Sequence, residues 1–117
     1  FSDKSAFRWI SVIRLPDFVT KDDFGWAVKT ASEKKKLDGS PAEFLTIDEG
    51  LCVQVMHIGS YDDEPVSIAR MDAYLAENGY ENDMGSGRLH HEIYLSDPRK
   101  CAPEKRKTVL RHPIKKV

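Results

Sequence analysis

His90, Glu92 and Tyr94 are three proton-handling residues at alternate positions of one short segment, His90-His91-Glu92-Ile93-Tyr94-Leu95-Ser96-Asp97-Pro98. Its alternation of polar and apolar residues predicts a strand. Side chains on a strand point to opposite faces in turn, so His90, Glu92, Tyr94 and Ser96 share one face and His91, Ile93 and Leu95 the other. Groups two positions apart lie about 7 Å from one another, which suits a row lining a cleft. Ile93 and Leu95 are expected to pack on the core, which would turn Glu92 toward a pocket. Between apolar and aromatic walls a carboxylate has a raised pKa and is a stronger base once ionised. Glu92 would then activate water, with Tyr94 or His90 donating to an oxygen that gains charge. With Trp9 or Trp26 nearby, the same carboxylate would instead neutralise an organic cation, aided by ring faces.

Each residue also has a structural reading. Any strand with one wet face alternates in this way. Tyr94 would then be a core tyrosine with its hydroxyl tied off, Trp26 a half-buried residue at a helix edge, and Trp9 part of the packing. His90 and His91 are adjacent and face opposite ways, which argues against a chelating pair. His57 and His112 add no ligand spacing, so no metal site and no cofactor are expected. Cys52 lies in an apolar run and Cys101 in a polar loop, so neither a disulfide framework nor a zinc pattern is present, and both thiols are expected to be free.

The elements that must position these residues fit one domain of 117 residues. A chain of this size buries roughly 65% of its unfolded surface. Eighteen basic and nineteen acidic residues give a net charge of −1, so no global field favours nucleic acid or an anionic membrane. No apolar stretch has the length of a membrane span, and Phe1-Ser2-Asp3-Lys4 resembles no signal peptide. A cytoplasmic protein is expected, and the lack of an initiator methionine points to sequence upstream.

Phe7 to Leu15 reads as a strand stopped by Pro16. Thr20 and Asp23 form a capping-box pattern opening a helix that fades at Lys36. Glu43–Ile47 and Leu51–Ile58 read as a hairpin turning at Asp48-Glu49-Gly50. A second helix begins around Asp62-Asp63-Glu64-Pro65, buries Ile68, Met71 and Leu75, and stops at Gly79. A loop over Asn82–Gly87, a strand over Leu89–Ser96 and a last strand over Lys107–His112, ended by Pro113, complete the order βαββαββ. Helices covering one face of an antiparallel sheet make this an α+β sandwich.

The His90–Pro98 segment, followed by Pro103-Glu104-Lys105 and Lys107-Thr108-Val109-Leu110-Arg111, strongly resembles the GyrI-like small-molecule-binding family. Leu15-Pro16-Asp17-Phe18-Val19-Thr20 and Val55-Met56-His57-Ile58-Gly59-Ser60-Tyr61 are similar to further blocks of it, so the resemblance runs from Trp9 to Pro113. It implies a duplicated fold in which two modules enclose a ligand cleft. Residues 43–113 would be the complete second module and 7–36 the end of the first with its linking helix, the domain being incomplete at its N-terminus. The family's upstream hairpin, helix and aromatic-rich strand have no counterpart here.

Relatives bind lipophilic, often cationic compounds, commonly as effector domains of regulators, and a namesake inhibits DNA gyrase. The stand-alone branch, closest in wording, includes hydrolases that open the cyclopropane of DNA-alkylating natural products. The family's functional glutamate maps onto Glu92, with Tyr94 two positions on. The leading expectation is a hydrophobic small-molecule binder anchored by Glu92, with Tyr94, His90, Trp9 and Trp26 as further ligand contacts. A hydrolase using Glu92 and Tyr94 catalytically is the alternative, and a protein-interaction module acting on a partner such as gyrase is a third. No helix-turn-helix is visible, direct nucleic-acid binding is not expected, and an exposed sheet edge would favour a homodimer.

Overall fold

The computed structural model describes residues 8–85 and 87–117, so Phe7, where the N-terminal strand was expected to begin, lies outside them. Contacts divide the chain into two compact units, Phe1–Ile47 and Asp48–Val117.

In the first unit α1 spans Lys21–Lys35. The Thr20 hydroxyl accepts from the Asp23 N–H at 3.2 Å and the Asp23 carboxylate accepts from the Thr20 N–H at 2.9 Å. Two donors at the helix start, which have no intrahelical partner, are thereby satisfied. The helix ends where Lys36 turns left-handed, at φ 53°. The Phe24 and Phe44 rings pack 5.6 Å apart. Residues 8–15 and 43–47 lie outside any strand. The expected N-terminal strand and the first arm of the 43–58 hairpin are therefore absent from the described residues. Alternating apolar residues give a segment the capacity for a strand, but a ladder also needs a partner edge, and neither segment has one.

The second unit is built on β4, Lys107–Lys116. Along one edge it pairs antiparallel with β1, Cys52–Ile58, from Ile58↔Lys107 to Cys52↔Pro113. Along the other, β3 (His91–Tyr94) pairs with residues 108–111 and β2 (Tyr80–Asn82) with residues 114–116. β2 is a short strand in what the sequence suggested was helix end and loop. The last strand also continues past Pro113 instead of ending there. The Ile114 N–H donates to Leu51 on the β1 side, and the Pro113 carbonyl accepts from Asp83 on the opposite side. The N–H that proline lacks would therefore point into the gap between β3 and β2, where the ladder needs no donor.

α2, Glu64–Asn78, follows a short 3₁₀ turn, Tyr61–Asp63, and stops at Gly79, whose φ of 77° suits a left-handed cap. It lies against β1 and β2. Met71 and Leu75 from α2 and Leu110 and Ile114 from β4 form the apolar core. His57 ties β1 to α2. Its Nε2 donates to the Ser60 carbonyl at 2.8 Å, and in the neutral ring Nδ1 then accepts from the Ser67 hydroxyl at 2.7 Å. Arg88 closes the other end, donating to the Leu51 and Glu49 carbonyls at 2.7 and 3.0 Å and to Asp83 at 2.6 Å. Both cysteines are free. Among the described residues no helix is long and apolar enough to cross a membrane.

The α+β class with an antiparallel sheet is as expected, the sheet having four strands. Leu110 is fully buried where β1 and β3 pair with β4. Truncating Leu110→Ala should lower the unfolding free energy by about 2–5 kcal/mol, the range for a buried leucine. Urea denaturation followed by circular dichroism measures it, and a loss of under about 1 kcal/mol would show that this crossing does not carry the core.

Candidate functional site

Antiparallel partners point to the same side of a sheet, so the register fixes which residues share a face. Glu92 lies across from Leu110, and Tyr94 across from Thr108. Leu110 and Thr108 lie across from Val55 and His57 of β1. This is the face that α2 covers. The expectation that Ile93 and Leu95 pack on the core is thus inverted. Leu95 is exposed and Ile93 only half-buried, while Thr108, Leu110 and His112 on the Glu92 side are buried. The far face carries a separate polar cluster in which Glu49 accepts from Arg111 at 2.8 Å and His91 at 2.9 Å. Burial opposes ionisation of Glu49, but these two partners outweigh it and hold its carboxyl below the usual range.

On the α2 side the structure brings His90, Glu92 and Tyr94 together. His90 Nε2 lies 2.9 Å from Glu92 Oε1, and the Tyr94 hydroxyl donates to Glu92 Oε2. Behind His90, its Nδ1 lies 2.6 Å from Nε2 of the buried His112. Burial, then the neighbouring His90, pushes the His112 pKa down, with Asp72 opposing. The Tyr94 ring packs edge-on against Tyr61 at 5.7 Å, and Arg106 stacks over Tyr61 at 4.9 Å. Trp9 and Trp26, the other expected contacts, belong to the first unit, where the residues are 79% and 70% exposed.

A second carboxyl completes the group. Glu64, the first residue of α2, is only 2% exposed and shares a side-chain hydrogen bond with Glu92. Burial, reinforced by the Glu92 charge, raises its pKa from 4.5 to about 7. The α2 N-terminus favours an anion by about 0.3–1 kcal/mol, too little to reverse that effect. Glu92 behaves oppositely. The His90 hydrogen bond, then that of Tyr94, outweighs burial and lowers it to about 2. The raised pKa expected of Glu92 is therefore found on Glu64. Burial and the Glu92 carboxylate likewise push the Tyr94 phenol upward, so it remains a donor.

The arrangement is an ionised carboxylate fed by three donors, beside a carboxylic acid able to exchange its proton near neutrality. The Glu92 side chain keeps 22% of its surface in solvent and Tyr94 is exposed, so a ligand has access. A concavity of about 510 Å³ lies elsewhere, among Val53, Val55, Arg70, Met71, Tyr74 and neighbouring residues, and Glu92 does not line it. The converging titratable groups are the better mark of chemistry, since an open apolar hollow supplies none. Among the described residues no group of three His, Cys, Asp or Glu side chains is placed to hold a metal ion. Sequence reasoning missed Glu64 and His112. An acid opening a helix is ordinary, and only its position ahead of Pro65 at the helix start marks Glu64 at all.

The Glu64–Glu92 pair has a stability signature. Because the folded-state pKa of Glu64 lies above its unfolded value, ionising Glu64 costs the folded protein more than the unfolded chain. That cost is absent below about pH 4.5, grows as pH rises and is complete above about pH 8. Glu64→Gln keeps a donor for Glu92 and removes the cost. The variant should match wild type near pH 4.5 and be more stable by roughly 2–3 kcal/mol near pH 9. Thermal melts across this range measure the difference, and a gap independent of pH would contradict the assignment.

The family model for the GyrI-like small molecule binding domain matches residues 13–115. An uncharacterized conserved protein from Listeria innocua is 47% identical with a TM-score of 0.84, the match covering 87% of this chain and 50% of that one. A hydrolase from Listeria innocua is 45% identical with a TM-score of 0.82, covering 87% of this chain and 52% of that one. A further hydrolase structure from the same organism is 45% identical at a TM-score of 0.79, with 87% and 50% covered. The chain thus spans about half the length of these solved relatives. No curated protein matches it. With nearly the whole sequence inside the family model, the chain belongs to the GyrI-like small-molecule-binding domain family.

Proposed function

We propose that the chain binds a hydrophobic organic cation, with Glu92 as the anchor and the Tyr94 and Tyr61 rings as apolar surface beside it. The supporting observation is the convergence of His90, Tyr94 and Glu64 on one carboxylate that solvent still reaches. Donors that hold a carboxylate ionised in a half-buried setting create a fixed negative charge, and nearby ring faces add attraction for a cation. Membership of a small-molecule-binding family supports the same reading.

A second reading is favoured by the two Listeria hydrolases at 45% identity. On it, the site would open a strained cyclopropane fused to a conjugated ketone. Glu92 alone is a poor base at a pKa of about 2, since proton transfer works best with a group titrating near the working pH. The proton would be handled by the Glu64–Glu92 pair acting as a unit, and Tyr94 would donate to the oxygen that becomes phenolate.

Glu92→Gln separates the readings. With tetraphenylphosphonium as the cationic probe and triphenylphosphine oxide as its neutral counterpart, calorimetry should show the variant losing about tenfold or more in affinity for the cation, the scale of one charge-assisted contact. Affinity for the neutral compound should be unchanged. If the chain is a hydrolase, wild type should convert a spirocyclopropyl dienone to its ring-opened phenol, with turnover about 10²-fold lower in the variant. Equal cation binding by both proteins, with no product from either, would overturn both readings and leave a protein-interaction role.

A further inference from the structure

The geometry points to Asn82 as a positioning residue that, through His112 and His90, sets which ring nitrogens carry protons and so aims a hydrogen bond at Glu92. Asn82 is the last residue of β2 and touches neither Glu92 nor Tyr94 in the described hydrogen bonds. Its side-chain oxygen accepts from the Met84 N–H at 2.8 Å. A backbone N–H can only donate, so this contact fixes the orientation of the amide, a turn habit of asparagine with the residue two positions on. The amide nitrogen is then the atom that meets His112 Nδ1, at 3.4 Å.

From there each step follows from the one before. Facing a donor, His112 Nδ1 is the acceptor, so in the neutral ring Nε2 carries the proton. Nε2 lies 2.6 Å from His90 Nδ1. That nitrogen accepts in turn, leaving the His90 proton on Nε2, 2.9 Å from Glu92 Oε1. A chain of donors thus runs from β2 through β4 to β3, every bond pointing toward the carboxylate. Reversing one tautomer would place a bare ring nitrogen against Glu92, two acceptors facing each other. The other charged or titratable groups around this chain are Asp72 and Glu64 from α2 and Tyr94 from β3. None of them occupies His112 Nδ1 in the described hydrogen bonds, so at that end of the relay Asn82 sets the proton order, in the same sense that the acceptor-only Glu92 carboxylate demands at the other. The inference concerns the carboxylate itself and holds whether the ligand is a cation or a hydrolysable substrate.

Asn82→Asp tests it. The change keeps the acceptor for Met84 and the side-chain shape at an exposed strand end, and replaces the donor facing His112 by an acceptor. Long-range ¹H–¹⁵N spectra of the histidine rings, taken at mildly alkaline pH where imidazoles are neutral, report the tautomer directly. Wild type should show His112 and His90 both protonated on Nε2 alone. The variant should show a proton on His112 Nδ1 and loss of the Nε2-only form of His90. His112 protonated on Nδ1 in wild type, or two rings unchanged in the variant, would overturn the inference. A change confined to His112 would overturn its reach to Glu92. Ring signals of His57, whose partners lie elsewhere, should not move and serve as the check that the fold is intact.

Discussion

Every other strand of the second unit takes its hydrogen bonds from β4. β1 uses one edge almost from end to end, while β3 and β2 divide the other. Ladder geometry leaves no freedom once this is set. Glu92 must lie across from Leu110, His90 must come level with His112, and the whole row must fall on the side where α2 packs. The residues that look most chemical therefore share a face with the core, at its rim, and their titration behaviour follows from that placement.

Two carboxyls brought together under a helix cannot both ionise cheaply, and the surroundings decide which one keeps its proton. Glu92 receives donors from His90 and Tyr94. Glu64 is buried with its Oε2 unpartnered. The difference in donors, more than any difference between the two residues themselves, drives one carboxyl well below the normal range and the other well above it. Such division of labour between like groups is how a single site holds a permanent charge and a mobile proton together.

Much of the fold was legible because its signals are local. Thr20 with Asp23 marks a helix start, Gly79 a helix stop, and the β-branched run after Leu51 a strand, whatever lies elsewhere. The pairing of His90, Glu92 and Tyr94 followed from strand periodicity alone. What was illegible depends on partners distant in sequence. Nothing near residues 43–47 announces the lack of a ladder edge, and Pro113 reads as a stop unless one knows that its missing N–H faces a gap. Which side of β3 packs is decided by where α2 lands, and that placed Ile93 and Leu95 on the wrong side. The proton states of Glu92 and Glu64 depend on groups brought together from two segments distant in sequence, the β3 region and the start of α2.

The junction opposite Pro113 has a consequence for how this architecture can change over evolutionary time. Because Pro113 offers no donor there and only its carbonyl is bonded, to Asp83, β2 and β3 are templated on β4 as two separate segments, and the chain between Asp83 and His91 is not held to a fixed number of residues by the sheet. Insertions or deletions in that connection can therefore alter the rim of the site while both strands keep their register. A scaffold with one continuous outer strand in this place would have to shift every side chain to the opposite face to accommodate a single added residue.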